Sequence, residues 1–183
     1  MIQAIGATIA VGWLAFWVFW FAAAATAKRS RLGTYSSVSI LLRLGIFVLV
    51  FVLIRVKAFG ALIPSPALQA LGLVLWVLGL AFAVWARLYI GRNWGMPMTE
   101  RVDPELVTTG PYRSVRHPIY TGVIVALIGT SLAVGLYWLI IAAAVAAYFI
   151  YSATIEERNL AREFPSSYPA YKRSTKMLIP LLF

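Results

Sequence analysis

Apolar residues run along the chain in long blocks, each ended by a cluster of charges or a proline turn. A helix needs about 20 apolar residues to cross the hydrocarbon core of a bilayer, and five blocks qualify as spans. The first runs from Ile2 to Ala27 and stops at the KRSR cluster, Lys28 to Arg31; without a basic leading region it reads as a span and not as a cleaved signal. The second runs from Val38 to about Val56, and the third from Ala67 to about Ile90, after the PSP turn at Pro64 to Pro66. The fourth extends from Pro118 to about Val134 and the fifth from about Leu136 to Ile155. Gly135 sits in a connection so short that the last two spans must form an antiparallel hairpin.

The charges between the blocks predict an orientation, because Lys and Arg favour cytoplasmic connections. Lys28, Arg29 and Arg31 fall in the first connection, Arg92, Arg101, Arg113 and Arg116 in the third, and Arg158, Arg162, Lys172, Arg173 and Lys176 in the tail. Only Arg55 and Lys57 lie on the other side. The expected topology in a cytoplasmic (inner) membrane is N-terminus outside, C-terminus inside. All six acidic residues, from Glu100 to Glu163, share the basic side, so polar chemistry gathers there. Arg43 and Arg87 lie inside apolar blocks, near enough to that side for their head groups to snorkel to the interface.

Composition agrees with this pattern. Hydrophobic residues make up 62% of the 183, charged residues 12%, and mean hydropathy is +0.85, where a soluble domain is roughly half apolar. The expected fold class is an all-α polytopic membrane helix bundle of about five transmembrane helices. It is one membrane domain over residues 1–183, with three spans in 1–90 and the polar region in 91–183. The net charge of +10 is distributed at span ends, which suits anionic headgroups and topology and argues against nucleic acid. With no cysteine and a single histidine, disulfides, thiolate nucleophiles and a transition-metal site are all disfavoured.

Two features read as architecture. Trp13, Phe16, Trp17 and Trp20 recur at helical spacing and suit a lipid-facing or packing face. Ala143 and Ala147, one turn apart, permit close helix approach. The segment Gly91 to Gly95 is no GxGxxG fingerprint, since no strand precedes it.

Chemistry concentrates in GPYRSVRHPIYTG, residues 110 to 122. Pro118 suits the first turn of a helix, leaving Arg116 and His117 beside free N–H groups and the positive end of the dipole, an arrangement that accepts an anion. In the fifth span Tyr148, Ser152 and Glu156 are each four residues apart, with Asn159 continuing the stripe. The adjacent carboxylates Glu156 and Glu157 require a cation, from Arg113, Arg116 or a ligand. The hairpin sets these two ends side by side, which matches a zwitterionic ligand with an additional positive centre. A serine hydrolase is disfavoured, because Ser114 and Ser152 lack a GxSxG elbow.

The segment LVTTGPYRSVRHPIYTG (Leu106 to Gly122), followed after a hydrophobic hairpin by EERNLAREF (Glu156 to Phe164), YPAY (Tyr168 to Tyr171) and Ile179-Pro180, resembles the isoprenylcysteine carboxyl methyltransferase and phospholipid methyltransferase superfamily. The resemblance covers roughly Arg87 to the C-terminus. It implies S-adenosylmethionine as methyl donor in a cytoplasm-facing catalytic pocket, and a lipid or isoprenoid-linked acceptor entering from the bilayer; a phospholipid headgroup amine, or a non-catalytic binding role, are the alternatives. The implied donor contacts are Pro104, Glu105, Leu106 and Val107, then Tyr112, the run His117, Pro118, Ile119 and Tyr120, and Glu156. The acceptor side is assigned to Tyr148, Ser152, Arg116 and Glu157. Isoprenylcysteine-type members commonly carry an arginine where this chain has Ser152. No side chain is assigned as general base, since in-line displacement at the methyl carbon asks mainly for positioning and desolvation.

Overall fold

The computed structural model describes residues 2–28, 30–31, 37, 40–46, 48, 64–98, 100–101 and 103–180. Four long helices dominate: α1 (Ile2–Ala24), α2 (Pro66–Ile90), α3 (Pro118–Val134) and α4 (Trp138–Glu163), with a short α5 (Tyr168–Ser174) in the tail. These correspond to the first, third, fourth and fifth expected spans. Most of the second lies outside the described residues, although residues 40–46 form a helical stretch. Helices α1, α2 and α4 are long and apolar enough to cross a membrane, whereas α3 is shorter. The chain is an all-α membrane helix bundle. Its extended structure, among the described residues, is a two-residue antiparallel pairing of β1 (Ser30–Arg31) with β2 (Glu100–Arg101) and one bridge between Val115 and Lys176.

Local chemistry sets the helix ends. Ser65 caps α2, its hydroxyl accepting from Leu68 N–H at 3.4 Å, and Pro66 occupies the first turn, where a missing N–H costs nothing. At the other end Gly91, with φ of 54°, takes the chain out of the helix. Pro118 opens α3, as its position in the sequence suggests. Gly110 combines a φ of 59° with the ring of Tyr89, which leaves no room for a Cβ, while Tyr89 Oη and Thr109 Oγ1 share a hydrogen bond of 2.7 Å. The loop before α3 is thereby fixed to the end of α2.

The tightest packing joins α2 to α3. A Cβ on Gly72 would lie 2.5 Å from Ala133 N, and one on Gly79 2.5 Å from Ala126 N; Gly122 and Gly129 meet the α2 backbone equally closely. In lipid, where helices gain nothing by hiding apolar surface from each other, such backbone approach supplies the dispersion contact that holds them. The alanines expected to do this, Ala143 and Ala147, are exposed; the glycines at two-turn spacing do it instead. Helix α1 leans on this pair through Ile9 and Phe16, and Trp13 Nε1 donates to Thr130 Oγ1 at 3.0 Å.

Arg87 does not snorkel. It is 2% exposed, donates to the carbonyls of Gly91 and of Ala23 in the last turn of α1, and lies over the Trp94 ring at 4.7 Å. Two helix ends leave carbonyls without intrahelical partners. One guanidinium serves both, tying α1 to α2.

Candidate functional site

The hairpin brings the start of α3 against the end of α4, and a cluster of charged groups forms between them. Arg116 Nε lies 2.6 Å from Glu157 Oε1, with side chains 8% and 2% exposed. The same guanidinium donates through Nη1 to the carbonyls of Lys172 and Thr175, while Lys172 Nζ lies 2.8 Å from Glu157 Oε2. Glu157 is thus neutralised by protein cations, and Arg116 is committed to Glu157 and the tail. The anion-accepting role expected of Arg116 is taken up internally: it fastens the tail to the bundle.

His117 stands between the two carboxylates, Nδ1 3.6 Å from Glu156 Oε2 and Nε2 3.5 Å from Glu157 Oε1. Its ring stacks on Tyr120 at 5.4 Å, and Tyr120 stacks on Phe149 at 4.2 Å, all three planes nearly parallel. Glu156 accepts two hydrogen bonds at Oε1, from the Tyr120 hydroxyl and from Met98 N–H. Its Oε2 carries no hydrogen bond among the described residues, and its side chain is 20% exposed. A carboxylate held this way is oriented yet retains an accepting oxygen.

The tail closes one side. Arg116 N–H and His117 N–H donate to the carbonyls of Lys176 and Met177, Thr121 Oγ1 donates to Leu178 O at 2.7 Å, and Tyr171 Oη donates to Tyr112 O at 2.7 Å. Burial pushes the hydroxyls of Tyr168 and Tyr171 well above the usual tyrosine range, which keeps them neutral and able to donate. On the opposite side Lys28 Nζ bonds Glu105 Oε1 at 2.8 Å, and Asn93 Nδ2 donates to Glu105 Oε2 at 3.1 Å.

These groups border a cavity of about 860 Å³ that runs from the charged cluster along α1, α3 and α4, with apolar walls for most of its length. Glu105, Leu106, Val107, Tyr112, Arg116, His117, Pro118, Ile119, Tyr120, Tyr148 and Glu156 line it. Pro104, Ser152 and Glu157 do not. Ser152 is buried, with no partner for its hydroxyl among the described residues. Asn159 turns away to Arg162, so the polar stripe ends at Glu156. Two contributions escaped sequence reasoning: the stripe Trp13, Phe16, Trp17 and Trp20 forms a cavity wall, and Arg43 reaches the cavity from residues 40–46. Helical spacing marked the aromatic stripe, but spacing alone cannot tell a wall facing lipid from one facing a cavity.

Fold and site together define a polytopic helix bundle with a polar pocket at one end of an apolar cleft. A family model described as phospholipid methyltransferase matches residues 67–167, more than half of the chain, and the chain belongs to that family. It is similar to methanethiol S-methyltransferase 2 of Bradyrhizobium diazoefficiens, 30% identical over 136 residues that cover 66% of this chain and 52% of that protein. It is also similar to the nickel-cobalt-cadmium resistance protein NccN of Alcaligenes xylosoxydans xylosoxydans, 32% identical over 120 residues, or 64% of this chain and 52% of that protein. The chain spans about half the length of these curated relatives. Among solved structures, the eukaryotic intramembrane Ras methyltransferase ICMT (isoprenylcysteine carboxyl methyltransferase) superposes with a TM-score of 0.55 at 26% identity, covering 81% of this chain and 54% of that one.

Proposed function

We propose that the protein transfers a methyl group from S-adenosylmethionine to a lipid or isoprenoid-linked acceptor, with the charged end of the cavity facing the cytoplasm. The observation that carries this reading is Glu156: an oriented carboxylate with an accepting oxygen left at Oε2, bordering a large cleft whose remaining walls are apolar. A donor with an ammonium and a sulfonium fits a carboxylate and an aromatic wall, since ring faces attract cations. When bound, S-adenosylmethionine supplies an electrophilic methyl on sulfur.

In this reading Glu156 holds the ammonium, while Glu105, Leu106, Val107 and Tyr112, with the run from His117 to Tyr120, complete the donor pocket. Pro104 and Ser152 act through the segments they belong to, since neither borders the cavity. Glu157 and Arg116 support the pocket and do not meet ligand charge. Tyr148 belongs to the acceptor end. The apolar cleft excludes water and admits a chain from the bilayer, so that the enzyme's contribution is alignment and desolvation.

A thiol acceptor is a second reading. It is favoured by the relative named methanethiol S-methyltransferase 2 and by Ser152, a small neutral residue at the position where the resemblance leads one to look for arginine.

The test is calorimetric titration of the purified protein with S-adenosylmethionine, followed by incubation with methyl-labelled donor and mass spectrometry of lipids and thiols. Micromolar binding that Glu156→Gln and His117→Ala each weaken, with label appearing on one acceptor class, is the expected result. Unchanged affinity in both variants, or binding without turnover on any extract, would sink the catalytic reading.

A further inference from the structure

Along α3, Tyr120, Val123, Leu127, Thr130 and Val134 all border the cavity. Their spacing of three and four residues puts them on one face of the helix, beside the face whose Gly122 and Gly129 meet α2. From Tyr120 to Val134 the rise is about 21 Å, against about 30 Å for the hydrocarbon core. Trp138, Ile141 and Val145 carry the α4 wall to the same far end, where Gly6 and Ala10 border the cavity from the start of α1. The cavity thus extends from Glu156 almost to the hairpin turn.

Its two ends differ in chemistry. Beyond Val123 and Tyr148 no charged side chain borders it among the described residues. The Thr130 hydroxyl is already committed, accepting from Trp13 Nε1 and donating to Ala126 O at 2.9 Å. Water finds few polar partners on such walls. A small acceptor would occupy the charged end alone and leave the rest of the length without dispersion contacts, whereas one extended apolar chain fills it.

The α1 wall also changes in bulk along its length. Trp13, Phe16, Trp17 and Trp20 crowd the part nearer the charged end, while the far end has Ala10 and Gly6. Glycine weakens a helix relative to alanine, and packing explains it at Gly12, where a Cβ would run into the Trp76 ring. At Gly6 a Cβ would meet no atom within 4 Å. Packing against protein does not require this glycine, and the space beside it is open.

We infer that the far half of the cavity holds the single extended chain of a long-chain amphiphile, and that Gly6 and Ala10 set how long that chain can be. The inference deepens the proposed methyl transfer and rests on it for what lies at the chain's polar head, the acceptor group beside Glu156. Ala10 is one turn, about 6 Å, nearer the charged end than Gly6, so bulk at the two positions should exclude chains of different lengths.

The experiment measures calorimetric binding of geranyl-, farnesyl- and geranylgeranylcysteine, without donor, to wild type, Gly6→Leu and Ala10→Leu in nanodiscs. Val11→Leu, on the exposed face of α1, is the control. Overfilling a packed site costs enough to weaken binding by about tenfold or more. Gly6→Leu should show that loss for the geranylgeranyl chain and Ala10→Leu for a shorter chain as well, while geranylcysteine binds all variants as it binds wild type. Affinities unchanged at every length, as when bilayer lipid alone fills the cavity, would overturn the inference. So would an equal loss at all three lengths, or no binding of any of them to wild type. Length-graded binding with no methyl transfer to any acceptor would refute the methyltransferase reading and leave this one standing. Transfer to a small thiol that neither Gly6→Leu nor Ala10→Leu alters, with no length-graded binding, would do the reverse.

Discussion

Arg116 Nε and Glu157 Oε1 lie 2.6 Å apart in an environment almost closed to solvent, and this contact joins the segment before α3 to the last turns of α4. Breaking a buried pair by removing one partner costs about 3–5 kcal/mol, because the other charge remains buried. Arg116→Gln and Glu157→Gln should each lower the thermal unfolding midpoint in detergent. The double variant should lose less than the sum of the two, since no orphaned charge survives. Strict additivity would mean that the pair does not act as a unit.

The α2–α3 seam makes a sharper prediction. At Gly79 and Gly129 an added methyl meets backbone and not a movable side chain, so the helices must separate. Gly79→Ala and Gly129→Ala should destabilise by about 1–3 kcal/mol or more. Gly6→Ala, with nothing within 4 Å of the new carbon, should be neutral or slightly stabilising through helix propensity. Thermal melts of the three variants side by side separate a packing requirement from a generic aversion to substitution.

Glu105 gives a pH dependence. Hydrogen bonds from Lys28 and then Asn93 hold its carboxyl below the usual carboxylate range. A folded value that is depressed contributes stability above the unfolded value, and this contribution disappears as pH falls through the folded one. As pH falls below the ordinary glutamate range the link between residues 28 and 105 should therefore loosen, seen as faster hydrogen exchange in residues 103–107. In Lys28→Met the exchange should already be fast at neutral pH, with a weaker acid step.

Span ends were legible because their signals are local. Pro66 and Pro118 start helices and Gly91 ends one through their own geometry, whereas α1 stops at Ala24, short of the charges that follow Ala27. The neighbourhood of Arg116 and the paired glutamates was legible too, since a hairpin with a short turn fixes which ends meet. Arg87 was not: its partner Ala23 is 64 residues away, and a local pattern cannot tell an arginine reaching lipid headgroups from one reaching another helix's carbonyl. The Gly72/Gly79 and Gly122/Gly129 spacing was present in the sequence, yet small residues reveal a possible seam without saying which seam is used, and Ala143 and Ala147 looked equally suitable. Depth along a helix is visible in sequence and places Arg43 near the interface, whereas the direction a side chain faces depends on neighbours far away in the chain, and Arg43 lines the cavity.

Tyr120 separates orientation of Glu156 from architecture. Its ring is held between His117 and Phe149 by stacking, and its hydroxyl donates to Glu156 Oε1. Tyr120→Phe keeps the stack and deletes only the bond, leaving Met98 N–H as the remaining donor to that oxygen among the described residues. Hydrogen bonds to charged groups are worth about 1.5–3 kcal/mol, but Glu156 is partly exposed and water can replace the lost donor, so the cost to stability should fall at or below the low end. If the bond serves to aim the carboxylate at a bound ammonium, donor affinity should drop by about tenfold, equivalent to about 1.4 kcal/mol, while the melting midpoint barely moves. Titration calorimetry and a melt on the same preparation measure both quantities, and a variant that loses stability but keeps its donor affinity would make Tyr120 a packing residue.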